Sequence, residues 1–154
     1  NGIGEDTGAY DLSLDGAAKL NKKLSALPNI YYFSFATDAT APALLSNNRV
    51  PNLKLTDLVF IPTCLFLGST IGVSNGGVVF DNNWFHNDGI VNTISSRAPK
   101  NEAQKVFDAN NVVPGIWNIM NTFKGDHASI VGGFIRAVDI NPFYLAQMKL
   151  INSL

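Results

Sequence analysis

Residues 30–37 read IYYFSFAT, an aromatic stretch with apolar side chains at both odd and even positions. Apolar side chains on both faces are typical of a strand buried within a parallel sheet. Residues 115–123, GIWNIMNTF, form a second strand candidate. Since these strands alternate with helical patterns, the sequence predicts an α/β sandwich. Two strong strands are too few for a complete sheet, which indicates that the chain is part of a larger fold.

Two amphipathic patterns predict the flanking helices. Ser13 favours a helix N-terminus, and apolar residues then recur at helical spacing as far as Leu27, where Pro28 ends the helix. A closing helix is predicted to begin at Asn141, with Pro142 at its first helical position. Its broad apolar face would consist of Phe143, Leu145, Met148 and Ile151.

The remaining segments are less regular. The first dozen residues are rich in glycine and predict a loop, and so do residues 38–51 and 68–83. Residues 53–67 are apolar enough for a helix that Pro62 must kink or end. Residues 90–94 predict a short strand or the exit from a strand, and residues 95–112 a polar connector.

Composition excludes several classes of protein. The chain has 154 residues, which fits one domain, and only 15% are charged against about 25% in average globular proteins, which argues against disorder. Its net charge is −1, so there is no basic excess with which to bind nucleic acid. It has no apolar run long enough for a membrane span. The single Cys64 has no partner for an internal disulfide, and Asn1 in place of an initiator Met suggests processing, trimming or a longer parent chain.

The two histidines differ in context. His127 lies in KGDHAS, a polar loop that follows the second strand candidate. Because α/β enzymes place reacting groups in loops at the carboxyl ends of strands, His127 is a candidate base, the alternative being an ordinary surface histidine. His86 is interpreted as an exposed side chain beside the turn that Asp88 and Gly89 begin.

Asp88 has two interpretations. Asp-Gly is a common turn sequence. A Ser-His-Asp triad also needs a carboxylate that holds the histidine in the correct tautomer, and in α/β-hydrolases the chain order is serine, acid, histidine. Asp88 followed by His127 fits the last two places of that order.

The nucleophile is missing from this pattern. Residues 72–76, GVSNG, match G-x-S-x-G around Ser74. The motif requires a buried strand before the serine and a helix after it, and the glycine-rich residues that follow leave no room for that helix. The chain therefore carries a candidate acid and base without a nucleophile.

Five stretches resemble the second half of secreted bacterial lipases of the staphylococcal and thermophilic Bacillus type. They keep the family's order and spacing from about Asp6 to the C-terminus. They are residues 10–13 (YDLS), 28–32 (PNIYY), 87–93 (NDGIVNT), 115–118 (GIWN) and the pair Asp126-His127. One departure is His86, where close relatives have an acid.

The resemblance implies a function. That family has an α/β-hydrolase fold, a mostly parallel sheet flanked by helices, and hydrolyses lipid esters of the triacylglycerol type with a Ser-Asp-His triad. Asp88 matches the triad acid and His127 the general base. The serine, the oxyanion residues and the main lid lie in the first half. Residues 1–154 would then be the C-terminal part of one α/β-hydrolase domain, completed by the N-terminal half as a separate, cleaved chain, secreted and acting at a lipid–water interface.

The resemblance also implies metal sites. The family binds zinc with two aspartates and two histidines, and Asp6, in the loop of residues 1–12 from the zinc-subdomain region, matches the one ligand expected from this half. Several relatives bind calcium through carboxylates that follow the catalytic histidine. Residues 128–134, ASIVGGF, contain no carboxylate, and Lys54 lies near the expected carbonyl donor, so calcium is not expected here.

Two alternatives stay open at this point. The apolar residues 53–67 and 78–80 either line an acyl-binding face or pack as ordinary core. The chain itself is either a lipase component or a non-catalytic binding or structural protein built on the same scaffold.

Overall fold

A computed structural model describes residues 7–154 of the chain. Asp6, the predicted zinc ligand, lies outside the described residues. Within them, every helix is too short or too polar to cross a bilayer. The helices are α1 (Gly8–Asp11), α2 (Leu14–Asn21), α3 (Ile61–Leu67) and α4 (Asn141–Ile151). The strands are β1 (Tyr32–Ser34), β2 (Thr37–Asp38), β3 (Thr40–Pro42), β4 (Arg49–Pro51), β5 (Gly72–Val73), β6 (Val79–Phe80), β7 (Gln104–Val106), β8 (Trp117–Ile119) and β9 (Phe123–Lys124).

Parallel pairing joins the two segments that the sequence predicts as strands. The three-stranded sheet has the order β1-β8-β7, and Phe33 is in register with Asn118. The same two segments continue into a second parallel pair, β2 with β9. Between the two pairs the ladder is bridged by hydrogen bonds from Met120 N to Ser34 O (3.0 Å) and from Phe123 N to Ala36 O (2.8 Å). Residues 30–37 and 115–123 thus form a parallel α/β sheet, as predicted.

Two antiparallel hairpins are absent from the prediction. Residues 38–51 contain β3 and β4, and residues 68–83 contain β5 and β6. The 90–94 strand is wrong, because this segment is a turn followed by a 3₁₀ turn at Thr93–Ser96. The 95–112 connector contains β7, which the polar sequence QKV did not reveal because β7 is an exposed edge strand.

The helices are shorter than their sequence patterns. Ser13 caps α2 as predicted, its Oγ accepting from Gly16 N at 3.1 Å, but α2 ends at Asn21 rather than at Pro28. Leu24 and Leu27 are exposed, so no packing supports the last turns. The loop prediction for the first dozen residues is wrong at α1, whose N-cap Thr7 accepts from Tyr10 N. In the 53–67 segment the α-helix is confined to α3, which Pro62 helps to start.

The closing helix α4 begins at Asn141 with Pro142 in its first turn, as predicted. Phe143 makes edge contacts with Phe35 (5.0 Å between ring centroids) and Phe123 (5.4 Å). The rest of the predicted apolar face is exposed, namely Leu145, Met148 and Ile151. One aromatic residue therefore attaches α4 to the sheet.

The buried interior is unusually polar. Its apolar members within the described residues are Ala36, Ala39, Cys64, Phe85 and Ile119. Buried polar residues are more numerous, and several lie where β2 and β9 end: Thr37, Asp38, Asp88, Asp126 and Ser129. Burying polar groups is unfavourable unless they are hydrogen-bonded, and the carboxylates of Asp38, Asp88 and Asp126 all accept hydrogen bonds.

Candidate active site

The carboxyl ends of β2 and β9 bring the two candidate residues together. Asp88 follows a turn against β2, and His127 follows β9 by three residues. His127 Nδ1 lies 3.0 Å from Asp88 Oδ2, and His127 N donates to Asp88 O at 2.9 Å. The Asp88 side chain is 1% exposed and that of His127 51%. A buried carboxylate thus holds a half-exposed imidazole.

The Asp88 carboxylate is fully engaged. Oδ1 accepts from the backbone N–H groups of Ile90 (3.0 Å) and Val91 (2.9 Å). Oδ2 accepts from His127 and also from Thr37 Oγ1 at 2.5 Å. Four donors on two oxygens fix the carboxylate in one orientation.

Asn87 and Gly89 shape the loop that carries Asp88. Asn87 is fully buried, and its amide donates to Cys64 O and Phe85 O while Gly89 N donates back to Asn87 Oδ1. Gly89 has φ +91°, and a Cβ there would lie 2.7 Å from Phe60 Cβ. Glycine is thus required both by conformation and by space. The Asp-Gly turn prediction is confirmed, and the same turn places the Asp88 carboxylate against His127.

The turn that carries His127 is closed by its neighbours. Asp126 Oδ1 accepts from Ser129 N (3.0 Å) and Ser129 Oγ (2.8 Å), and Oδ2 accepts from Asp57 N at 2.7 Å. Asp126 N donates to Leu55 O at 3.2 Å. The turn that carries His127 is thus held by both backbone and side-chain hydrogen bonds of Asp126.

A second layer of contacts attaches the following loop. The Asp57 carboxylate accepts from Ile135 N (2.8 Å) and Arg136 N (3.1 Å), and these hydrogen bonds hold the pKa of Asp57 below its usual range. The Arg136 guanidinium donates to the carbonyl oxygens of Lys54 and Leu53. We call this set of contacts, made by Leu53, Lys54, Asp57 and Arg136, the 57–136 clamp.

A second aspartate–histidine pair lies beside the first. His86 Nδ1 is 2.9 Å from Asp38 Oδ2, which also accepts from Lys124 Nζ at 2.9 Å. Burial raises the pKa of Asp38, but hydrogen bonds from Thr40, Lys124 and His86 outweigh it and bring the pKa to about 2. His86 is half-exposed, as predicted, and it anchors on a buried acid as His127 does.

Ser74 is not placed as a nucleophile. It lies in the turn between β5 and β6, with no helix after it. Its Oγ donates to Asp15 Oδ1 and accepts from Val78 N at 3.0 Å. A serine that closes a hairpin is unlike the strand-to-helix turn that G-x-S-x-G requires.

Cys64 is a structural thiol. It is fully buried in α3, and burial together with the carboxylates of Asp38 and Asp88 raises its pKa to about 11. A thiol of this kind is protonated at neutral pH and unreactive. In the described part of the chain no three histidine, cysteine or acidic residues are grouped for a metal.

Sequence reasoning missed Thr37 and Asp57, which support the Asp88–His127 pair, and Asp38 and Lys124, which form the neighbouring ion cluster. Thr37 and Asp38 were assigned to the end of a buried strand and the start of a loop. The available signal was their position, because polar residues at the carboxyl end of a buried strand commonly line α/β active sites. Asp57 had no such signal, since its partners lie nearly eighty positions away.

The described residues form a parallel sheet with an aspartate–histidine pair at its carboxyl edge, an arrangement found in α/β enzymes. Residues 3–145 match the family described as "Lipase-like, C-terminal domain". The chain is 35% identical to the lipase of Staphylococcus hyicus over 147 residues, covering 91% of this chain and 21% of that protein. It is 36% identical to lipase 1 of Staphylococcus aureus (strain NCTC 8325 / PS 47), covering 83% and 17%.

Solved structures agree. EstA from Clostridium botulinum matches with a TM-score of 0.91 and 32% identity, over 98% of this chain and 35% of that one. The S. hyicus lipase structure matches with a TM-score of 0.80 and 32% identity, over 97% and 39%. The chain therefore belongs to the lipase-like C-terminal domain family, and the resemblance to staphylococcal lipases is confirmed. It spans about a fifth of the length of the curated relatives it matches.

Proposed function

We propose that this chain supplies the acid and base of a Ser-Asp-His triad in a lipase that hydrolyses triacylglycerol-type esters. The carrying observation is the 3.0 Å contact between buried Asp88 Oδ2 and half-exposed His127 Nδ1. Since Nδ1 faces the acid, Nε2 is the ring nitrogen left for chemistry. No group in residues 7–154 hydrogen-bonds to Nε2. The nucleophilic serine and the oxyanion hole belong to the N-terminal portion of the lipase.

The proposed reaction follows from this geometry. His127 Nε2 takes the proton of the serine hydroxyl as the serine attacks the ester carbonyl. The imidazolium then returns that proton to the leaving alkoxide, and the acyl-serine forms. In the second half His127 activates water in the same manner, and the fatty acid is released. Asp88 stays ionised throughout, holding the tautomer and stabilising the imidazolium.

The surface of the chain supports a large covering partner. Many big apolar side chains are exposed, among them Leu58, Phe66, Phe134, Leu145 and Met148. Exposed apolar area of this extent marks an interaction surface. β1 has no strand on its outer side among the described residues. We assign this surface and edge to the N-terminal half of the lipase, present as a second chain.

A cleft near the turn that carries Asp88 supports lipid binding. It has a volume of about 290 Å³ and is mainly apolar, with Phe66, Leu67, Phe80, Ile90 and Val91 in its walls. Ile90 and Val91 also donate their N–H groups to Asp88. The cleft thus adjoins the backbone that binds Asp88, and it uses the predicted acyl-face residues Phe66, Leu67 and Phe80. We propose that this cleft binds the acyl chain of the substrate. The enzyme would take that substrate from a lipid–water interface and would act outside the cell.

Of the two metals that lipases of this type bind, we propose a ligand in this chain for zinc but not for calcium. We propose Asp6 as this chain's zinc ligand, with the other ligands in the N-terminal half. Calcium does not fit the loop after His127. The Arg136 guanidinium already holds the Leu53 and Lys54 carbonyls, and the Asp57 carboxylate is occupied by backbone N–H groups. The guanidinium at the two carbonyl oxygens repels a calcium ion, so we propose a reaction in which no step depends on calcium.

The decisive experiment replaces each histidine in turn in the complete lipase. His127→Ala removes the base and should abolish turnover, while Asp88→Asn should lower kcat by about 10⁴, as in other triads. His86→Ala is the matched control, because His86 also binds a buried aspartate and has a similar exposure. It should keep kcat within about twofold on a p-nitrophenyl ester. Turnover that survives in His127→Ala would refute the proposal.

A further inference from the structure

We propose that Thr37 is a positioning residue of this site: its hydroxyl shares Asp88 Oδ2 with His127 and so sets both the orientation and the strength of the acid. The inference rests on the proposed function, since it gives Thr37 a role through the dyad. Thr37 lies at the start of β2 and is 6% exposed. Within residues 7–154 its hydroxyl bonds to Asp88 and makes no hydrogen bond to the ring of His127.

The hydroxyl of Thr37 is fixed in direction. Its backbone is paired with Phe123 of β9, and Thr37 O accepts from Thr93 Oγ1 at 2.7 Å. Thr37 Oγ1 donates to Asp88 Oδ2 at 2.5 Å, while His127 Nδ1 approaches the same oxygen at 3.0 Å. The strand pair that presents the histidine loop therefore also presents the donor that fixes its acid.

Sharing one oxygen has a chemical consequence. A donor on Oδ2 withdraws negative charge from it, so Asp88 stabilises the imidazolium of His127 less than an unshared carboxylate would. It also holds the oxygen that the histidine needs in place. Because Asp88 is 1% exposed, bulk water cannot replace a lost hydroxyl. Without it, the acid is less well oriented while its pull on the proton grows.

The test compares variants of position 37 in the complete lipase. Thr37→Val and Thr37→Ala remove the donor and should lower kcat by about tenfold with KM unchanged. In both, the acid limb of the kcat/KM profile should move to higher pH, since the imidazolium is held more strongly. Thr37→Ser restores the hydroxyl and should recover the wild-type profile.

Thr40→Val is the matched control. Thr40 is 7% exposed and donates from Oγ1 to Asp38 Oδ1 at 2.6 Å, so this variant also loses a buried threonine–carboxylate bond. It should lower the melting temperature as Thr37→Val does, but leave the acid limb where it is. This comparison separates positioning of the dyad from general stability.

The variants at positions 127, 37 and 40 together distinguish the positioning role of Thr37 from the proposed function. If His127→Ala is inactive but the Thr37→Val and Thr37→Ala profiles coincide with wild type, the positioning role is wrong and the triad stands. The same holds if Thr40→Val moves the acid limb equally. If His127→Ala remains active, the proposed function fails and the role of Thr37 fails with it.

Discussion

At the scale of single residues, the two aspartates Asp38 and Asp88 differ in the charge of one hydrogen-bond donor. Asp38 and Asp88 are both buried, and each binds the Nδ1 of a half-exposed histidine. The second donor differs: Lys124 brings a positive charge to Asp38, whereas Asp88 receives the neutral hydroxyl of Thr37. A charge already neutralised by lysine has less to offer a forming imidazolium. This is why we assign the chemistry to Asp88 and a structural ion cluster to Asp38.

The low pKa of Asp38 predicts acid sensitivity. The pKa falls from 3.8 to about 2 on folding, so Asp38 stabilises the folded state by about 2 kcal/mol above pH 4, and this is lost as pH falls through 2. Asp38→Asn should therefore lower the melting temperature at neutral pH and flatten its decline between these pH values. The readout is thermal unfolding of the complete lipase over a pH series.

Asp11→Asn is the control for that series, because Asp11 is exposed. It should reproduce the wild-type decline. An Asp38→Asn protein that loses stability between pH 4 and 2 as steeply as wild type would contradict the assignment.

At the scale of elements, the loop after His127 is held by the 57–136 clamp. Asp57 unites two functions, since its N–H group holds Asp126 and its carboxylate holds the backbone of residues 135 and 136. The clamp closes a segment with little regular structure, the 3₁₀ turn Ser129–Val131 being its one helical turn within the described residues. The position of His127 therefore depends on side-chain contacts rather than on a helix.

Arg136→Ala tests the clamp. It removes two side-chain hydrogen bonds to carbonyl groups and should lower the free energy of unfolding by about 1 kcal/mol.

For the wild type, metal-depleted lipase restored with zinc alone should match lipase restored with zinc and calcium, both in turnover and in melting temperature.

Arg97→Ala serves as the control, since Arg97 is exposed and makes no side-chain hydrogen bond within the described part of the chain. It should be neutral. A wild-type enzyme that calcium activates, or an Arg136→Ala protein as stable as Arg97→Ala, would show that the clamp does not do what we propose.

The sequence predicted the elements that have a pattern of their own. Residues 30–37 and 115–123 were recognisable as strands because they are apolar on both faces, and Ser13 and Pro142 mark helix starts by local chemistry. β7 and the two hairpins were missed because short edge strands need no apolar pattern. Thr37 was missed since its partner lies 51 positions away, and only the tertiary fold brings such residues together.

At the scale of the whole molecule, the described residues leave many large apolar side chains exposed. Even the turn of the β3–β4 hairpin presents Leu44 and Leu45 at 99% exposure. Part of this surface is the expected seat of the N-terminal half.

Labelling of the complete lipase with a serine-directed fluorophosphonate tests whether the nucleophilic serine lies in the N-terminal portion. The adduct should map to a serine in the N-terminal portion, and Ser74→Ala should label like wild type, because Ser74 closes a hairpin. Mass spectrometry of the intact preparation then reports whether that serine and this chain share one polypeptide.

An adduct on Ser74 would reverse our exclusion of the local motif. A stable, homogeneous 154-residue species that takes no label would favour the binding-protein alternative.

The parallel pairing of β2 with β9 has a consequence for biosynthesis. Asp88 and His127 are 39 positions apart, and Thr37 lies another 51 before the acid. Contacts this distant in sequence form late, after nearby ones. A ribosome-bound or partly folded chain, in which β2 and β9 have not yet paired, thus lacks the contacts that join Thr37, Asp88 and His127.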